Sequence, residues 1–396
     1  MKKLLWIRLA LLTLFVLLAF GCSSPWDPSV GNSLDLAGAK SISPVEPVDP
    51  IEPVTNVILF IGDGMSQAHL QLARLCTGDG LAVDTLDPVP VEVSTVNIYG
   101  EVTDSAAGGT AIATGHRTAN DWVSKLPGGS EPETVLERAE EMGKSTGLIT
   151  DLVISDATPA VFAAHVEDRD FDEDIIEQMS AQNIEVLFSG GTSYTHLLKD
   201  KVLDEGGAYV EDLSGFEEFY NGGALDDVAM IYGFFGHNEM AYTLDREEEE
   251  VLDTEPTLDQ LTDVALRVLD NNDNGFFLMV EGGANDWGGH ARDAAWVVAE
   301  MREFNDAIQV AMDWAAGRDD TLIVVTADHE CGGLGYPVSP DTDTINAVQA
   351  TTEWMWGVIS HGTMSIKQTL ASYAGIQKLS KQEEKLIAAN KEMGIS

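Results

Sequence analysis

Residues 322–333 read LIVVTADHECGG. Apolar and β-branched residues from Leu322 to Thr326 lead into Asp328 and His329, and glycines follow. A run this short and this rich in branched side chains reads as a buried strand. Four further stretches have the same character: NVILFIGDG (56–64), KSTGLIT (144–150), EVLFSGG (185–191) and GFFLMVEGG (275–283). Helical patterns alternate with them, one from about Ser66 and another over 293–317, where DAAWVVAEMREFNDAIQVAMDWAAG keeps helical periodicity throughout. Continuous apolar strands alternating with helices predict an α/β fold with a mostly parallel sheet covered on both faces. No internal repeat is visible. The run DREEEEVLD (245–253) reads as solvated surface.

The chain has 396 residues, with Lys+Arg 22 against Asp+Glu 66 and a net charge of −44. That charge excludes a nucleic-acid partner, since a phosphate backbone is repelled at long range. Solubility in a salty medium is the simplest reading of the acidity, with a few carboxylates left to bind hard cations. The first residues, MKKLLWIRLALLTLFVLLAFGC, combine a basic start, an apolar run and Gly21-Cys22. This reads as a signal peptide over 1–22 of the lipoprotein type, with Cys22 as the acylated residue and membrane anchor. The export it implies places the protein in the periplasm or at the cell surface. Residues 23–53, rich in Pro and Ser, read as a disordered tether, and the folded domain is expected over 54–396. In an exported protein Cys76 and Cys331 could pair, which spacing alone leaves open.

In an open α/β sheet, sites form beyond the carboxyl ends of the strands. Three strands here end in metal-ligand residue types: Asp63 after the first, Glu281 with Asp286 and His290 after another, Asp328 and His329 after the last. One such aspartate is often a turn or cap residue. Together the three ends bring four carboxylates and two imidazoles to one sheet edge, where unpaired charges would repel and be costly to desolvate. Cations solve that problem: Asp/His sets suit zinc, and oxygen-rich sets suit magnesium. VTDSAAGGTAIATGHRT (102–118) places Asp104-Ser105 before a small-residue run able to start a helix. Ser105 is there a helix cap or a nucleophile at an anion-binding helix end. The segment lacks the Gly-Lys-Ser/Thr ending of a phosphate-cradling loop, and no Gly-x-Ser-x-Gly elbow occurs. SDATPAVFAAHVEDRD (155–170) adds Asp156, Thr158 and Arg169, the last a natural partner for phosphate oxygens.

These segments, taken in order, closely resemble the signature segments of the alkaline phosphatases, from about Thr55 to Gly335. The resemblance implies a three-layer α/β/α sandwich, a homodimer, two zinc ions and one magnesium, and hydrolysis of small phosphate monoesters. It assigns Ser105 as the phosphorylated nucleophile and Arg169 as the clamp on the phosphoryl oxygens. Asp63, Asp328 and His329 match the ligands of the zinc beside the serine. Asp286 and His290 match ligands of the other zinc. Asp63, Thr158 and Glu281 match magnesium ligands. Asp104, Asp156 and Trp287 match residues that flank the site. The family's third histidine on the second zinc comes from a late segment, for which WMWGVISHGTMSIKQTLASYAG (354–375) offers only His361. Its order is His-Gly-Thr, and the elements that follow in the family are absent, as expected of a chain short at its C-terminus. Without His361 that zinc would keep two protein ligands and bind weakly. The remaining histidines, His69, His116, His165, His196 and His237, read as structural or surface. Two alternatives stand beside the phosphatase. One is a phosphate- or metal-binding relative impaired in catalysis by an incomplete second zinc site. The other is a phosphodiesterase or sulfatase with the same metal core.

Overall fold

The computed structural model describes residues 54–86, 93–191, 194–222, 225–236, 238–252, 254–335, 339–385 and 387. The signal segment, the tether, Cys22 and His237 lie outside them. Among the described residues seven parallel strands form one sheet: β1 (Asn56–Gly62), β2 (Ser145–Val153), β3 (Val186–Gly190), β4 (Ala208–Val210), β5 (Ile231–Phe235), β6 (Phe276–Gly282) and β7 (Thr321–Thr326). Their order is β4-β5-β3-β2-β6-β1-β7, and every pairing is parallel.

Successive side chains of a strand point to opposite faces, and here each face has its own core. Ile58 and Phe60 of β1, with Phe276, Leu278 and Val280 of β6, join one cluster with the helices Leu258–Leu269 and Ala294–Ala315. Leu59 and Ile61, with Phe277 and Met279, join the other, under the helices Ala157–Ala163 and Asp172–Ala181. Phe60 meets Phe304 edge-on at 5.9 Å, which locks the longest helix to the sheet. The helix read over 293–317 spans Ala294–Ala315, and Asp293 caps it by accepting from the N–H groups of Ala295 and Trp296. The helix expected from about Ser66 runs Gln67–Thr77 with Ser66 as its cap.

The strands read from sequence form, and two more join them. β4 is three residues long, and β5 (IYGFF) carries a glycine at its centre, so neither has the apolar run that marks the others. The expectation that all strands are buried on both faces fails for β7. Among the described residues it pairs only with β1, lies at the sheet edge, and leaves Leu322 45% exposed. The acidic run at 245–253 is also less solvated than expected. Asp245 is buried and accepts from Thr351 N–H at 2.7 Å and its hydroxyl at 2.6 Å, while Arg246 donates to the Glu255 carbonyl at 2.6 Å. Asp245 and Asp293 thereby pin the start of the helix Thr352–Ser360 to the domain. Cys76 and Cys331 are both free and buried, so the disulfide left open by sequence does not form. Among the described residues no helix is long and apolar enough to cross a membrane.

Candidate active site

Parallel register assembles the site. Ile61 of β1 sits beside Glu281 of β6 and Thr326 of β7, and Glu281 sits beside Thr150 of β2. Asp63 and Asp328 therefore both lie two residues beyond the Ile61–Thr326 pair, at the same strand ends. Asp328 is fixed there by the N–H groups of Gly64 and His329, which donate to its Oδ1 at 3.2 and 2.8 Å. Asp286 and His290 come from the short helix Ala284–Ala291, one turn apart on one face, with His290 Nε2 3.2 Å from Asp286 Oδ2.

Ser105 is the first residue of the helix Ser105–Thr114, capped by Asp104, whose Oδ1 accepts from the Ala107 N–H at 2.9 Å. The cap role thus falls to Asp104, and the Ser105 hydroxyl is left to face the cluster. Its Oγ lies 3.1 Å from His329 Nε2 and 3.5 Å from Asp63 Oδ1. The helix reaches this position because Gly108 packs on the Asp328 backbone, where a Cβ would sit 2.8 Å from the carbonyl oxygen. Thr158 donates to Asp63 Oδ2 at 3.4 Å. Arg169 bonds Asp156 Oδ1 at 2.7 Å and stands 3.7 Å from Asp104 Oδ2. Burial opposes the guanidinium charge, but Asp156 and then Asp104 outweigh it and hold the proton more firmly than usual. Asp63, Asp104, Ser105, Asp156, Arg169, Asp286, His290 and His329 border a cavity of about 540 Å³ that also takes in Trp287, Arg292, Glu330 and Cys331.

The electrostatics of this cluster are unbalanced. Burial, then the charges of Asp328, Asp286 and Glu281, push the Asp63 carboxyl well above its ordinary range. Burial and Asp156 do the same to Glu281, and burial raises Asp328. Among the described residues, both oxygens of Glu281, Asp286 Oδ1 and Asp328 Oδ2 are buried without a geometrically sound hydrogen-bond partner. Orphaned anionic oxygens of this kind cost several kcal/mol unless a cation or a proton answers them. Ligand atoms of Asp63, Asp286 and His329 already lie within 4.8 Å of one another, as do those of Asp286, His290 and Cys331.

His361 is the exception among the sequence candidates. It caps the C-terminus of the helix Thr352–Ser360, is exposed, and its Nδ1 bonds the Gly357 carbonyl at 2.9 Å. It does not line the cavity, so the structure does not bring it to Asp286 and His290. Arg292, Glu330 and Cys331 border the cavity without having been singled out for it. Arg292 holds a left-handed backbone (φ 55) that ends its helix and turns it toward the cavity, which no sequence pattern announces. The other described histidines do not join the cluster: His69 bonds Ser66 Oγ at 2.7 Å, and His165 bonds Glu137 at 3.0 Å.

A family model described as alkaline phosphatase matches residues 54–385. The chain belongs to the alkaline phosphatase family. Alkaline phosphatase 4 of Bacillus subtilis (strain 168) is 32% identical over 360 residues, covering 84% of this chain and 74% of that protein. The cold-active alkaline phosphatase of Shewanella sp. superposes with a TM-score of 0.70 at 28% identity, covering 85% of this chain and 84% of that one. A mutant of the alkaline phosphatase from the Antarctic bacterium TAB5, solved with magnesium in its M3 site, superposes with a TM-score of 0.62 at 28% identity over 72% of this chain and 80% of that one. The three-layer α/β/α architecture is thus that of the family, and the alkaline phosphatase reading makes the chain a phosphomonoesterase.

Next to this alkaline phosphatase site, Asp151 supplies a pH-sensitive brace. Its Oδ1 accepts from the N–H groups of Gly283 and Ala284 at 2.7 and 3.2 Å, at the start of the helix bearing Asp286 and His290. Burial raises its carboxyl to about 7, and Glu303 adds to the rise. The unfolded chain gives up this proton near pH 4 while the folded chain keeps it, so stability falls as pH rises from about 4 to about 7. The loss is at most about 4 kcal/mol, and less because part of the side chain meets solvent. Asp151→Asn keeps the accepting oxygen and removes the titration. The expected result is a flatter profile of denaturation midpoint between about pH 4 and pH 7 than in the parent chain. Equal slopes would show that Asp151 titrates normally.

Proposed function

We propose that this chain hydrolyses phosphate monoesters through a phosphoserine on Ser105, at a site that takes two zinc ions and one magnesium. The observation that carries the reading is the group of buried, partnerless carboxylate oxygens on Glu281, Asp286 and Asp328 beside a serine at a helix N-terminus. The donor sets fit the ions: Asp63, Asp328 and His329 would hold one zinc, and Asp286 with His290 the other. Asp63, Thr158 and Glu281 would hold magnesium through oxygen alone. When bound, these cations lower the serine pKa and offset charge on the reacting oxygens.

The chain's own groups do the rest. Ser105 Oγ loses its proton to solvent and attacks phosphorus; the Oγ–P bond forms as the ester P–O bond breaks. Arg169, aimed by Asp156 and Asp104, clamps the equatorial phosphoryl oxygens. Backbone N–H groups at the start of the serine helix add a fixed partial positive charge. Water then cleaves the Oγ–P bond, releasing inorganic phosphate and restoring the hydroxyl. Trp287, packed edge-on against Tyr242 at 5.9 Å, forms part of the cavity wall.

The test compares p-nitrophenyl phosphate, bis-p-nitrophenyl phosphate and p-nitrophenyl sulfate with the zinc- and magnesium-loaded protein. Fast turnover of the monoester alone is expected. A folded, loaded protein that prefers the diester or the sulfate, or turns over none of them, overturns the reading. A homodimer, acylation of Cys22 and an exported, periplasmic or cell-surface location complete the proposal through the resemblance. Light scattering and lipid labelling test them.

A further inference from the structure

The weak point of the proposed site is the second zinc. Among the described residues the resemblance gives it two protein ligands, Asp286 and His290, whereas catalytic zinc sites ordinarily have three and keep a fourth position open. His361 is not there to complete the set. Cys331 is.

We propose that Cys331 is the third protein ligand of this ion, giving an Asp286–His290–Cys331 zinc site with one open position. The inference rests on the zinc-dependent reading above. Its basis is placement. The Cys331 N–H donates to the Gly64 carbonyl at 3.0 Å, which fixes the residue beside the loop that follows β1. Its side chain is wedged between two glycines. A Cβ on Gly64 would lie 2.8 Å from Cys331 Cβ and 2.6 Å from Asp286 Oδ1; one on Gly289 would lie 3.2 Å from Cys331 Sγ. Sγ thus faces the helix that bears both other ligands, and the three donor atoms lie within 4.8 Å of one another.

The independent sign that something binds here is Asp286. It is 7% exposed, its Oδ1 meets no nitrogen or oxygen donor among the described residues, and the Cys331 thiol is the side chain set to bond its carboxylate. Tetrahedral zinc with ordinary bond lengths needs donor separations of roughly 3.4–3.6 Å. Asp286 Oδ2 and His290 Nε2 are already 3.2 Å apart. His290, whose side chain is 74% exposed, is free to swing the rest of the way. On binding, the thiol proton goes to solvent and the thiolate bonds the ion; no redox change is involved. Cys76 offers no alternative, since it packs among Leu72 and Val298 and does not line the cavity.

The test loads the full chain with cobalt in place of zinc and records the near-ultraviolet spectrum. A sulfur-to-cobalt charge-transfer band is expected in the parent, in Cys76→Ser and in His361→Ala, and is expected to vanish in Cys331→Ser. In parallel, zinc content of Cys331→Ser should fall by one equivalent, and that of His361→Ala should not change. Should Cys331→Ser fail to fold, the parent decides alone: zinc should slow alkylation of Cys331, read by peptide mapping, at least tenfold, and a chelator should restore the rate. No band in the parent, a band that survives Cys331→Ser, or alkylation indifferent to zinc overturns the proposal. The two readings fail separately. Monoester turnover without the band removes the thiolate and keeps the phosphatase; the band without turnover keeps the ligand and removes the catalytic reading.

Discussion

Ser105→Ala is expected to abolish turnover and the phosphoenzyme together, with kcat falling by on the order of three decades or more. The Ser105 hydroxyl faces the cluster from a helix N-terminus, 3.1 Å from His329 Nε2 and 3.5 Å from Asp63 Oδ1. The other hydroxyls nearby are committed. Thr103 donates to the Asp104 carbonyl at 3.1 Å, and Thr158 is buried against Asp63. An alanine leaves the cavity and Arg169 in place, so substrate still binds while the group that accepts the phosphoryl is gone. Acid quench with a radiolabelled monoester, followed by peptide mapping, reads the result directly. Label on residues 103–107 of the parent and none in the variant is expected. A phosphoserine persisting in the variant would sink the assigned mechanism.

Stripping divalent cations should be as damaging, and should touch stability as well as rate. Asp63, Glu281, Asp286 and Asp328 are all buried at the ends of β1, β6 and β7. Among the described residues the nearby side chains able to carry positive charge are His329, 3.5 Å from Asp63 and 3.4 Å from Asp328, and His290, 3.2 Å from Asp286. Burial and the neighbouring carboxylates push the Asp63 and Glu281 carboxyls well above their ordinary range, so a bound cation would relieve a real imbalance. A cation at a thousand times its Kd adds about 4 kcal/mol per site. Dialysis against a chelator is therefore expected to remove activity and lower Tm by several degrees. Zinc with magnesium should restore both, and zinc alone should leave a deficit at the Asp63–Thr158–Glu281 set. Unchanged Tm and activity after verified metal removal would show that protons, not cations, settle the charge of this cluster.

How far the site was legible depended on where each residue stands. Asp63, Glu281, Asp328 and His329 follow strongly apolar strands, and a parallel sheet carries strand ends to one edge, so their convergence follows from sequence. Asp286 and His290 were legible through their one-turn spacing. His361 misled because type and order along the chain do not tell a ligand from a helix cap; the helix that it ends is anchored at its opposite, N-terminal end by Asp245 and Asp293, remote in sequence. Cys331 drew attention only as half of a disulfide. What places it is the fit against Gly64 and Gly289, which no spacing rule expresses. β4 and β5 escaped because a three-residue strand and one interrupted by glycine carry little pattern.

The open side of β7 carries a colloidal consequence. An edge strand with unpaired backbone groups and a half-exposed Leu322 is a template on which a second molecule could add a strand. Two such edges meet only if two bodies of charge −44 are pressed together. Mutual repulsion works against that pairing, for a reason unrelated to catalysis. That protection fades with ionic strength, because the screening length shrinks from about 10 Å at 0.1 M to about 3 Å at 1 M salt. The acidity that reads as a surface property is thus also what guards the unfinished margin of the sheet.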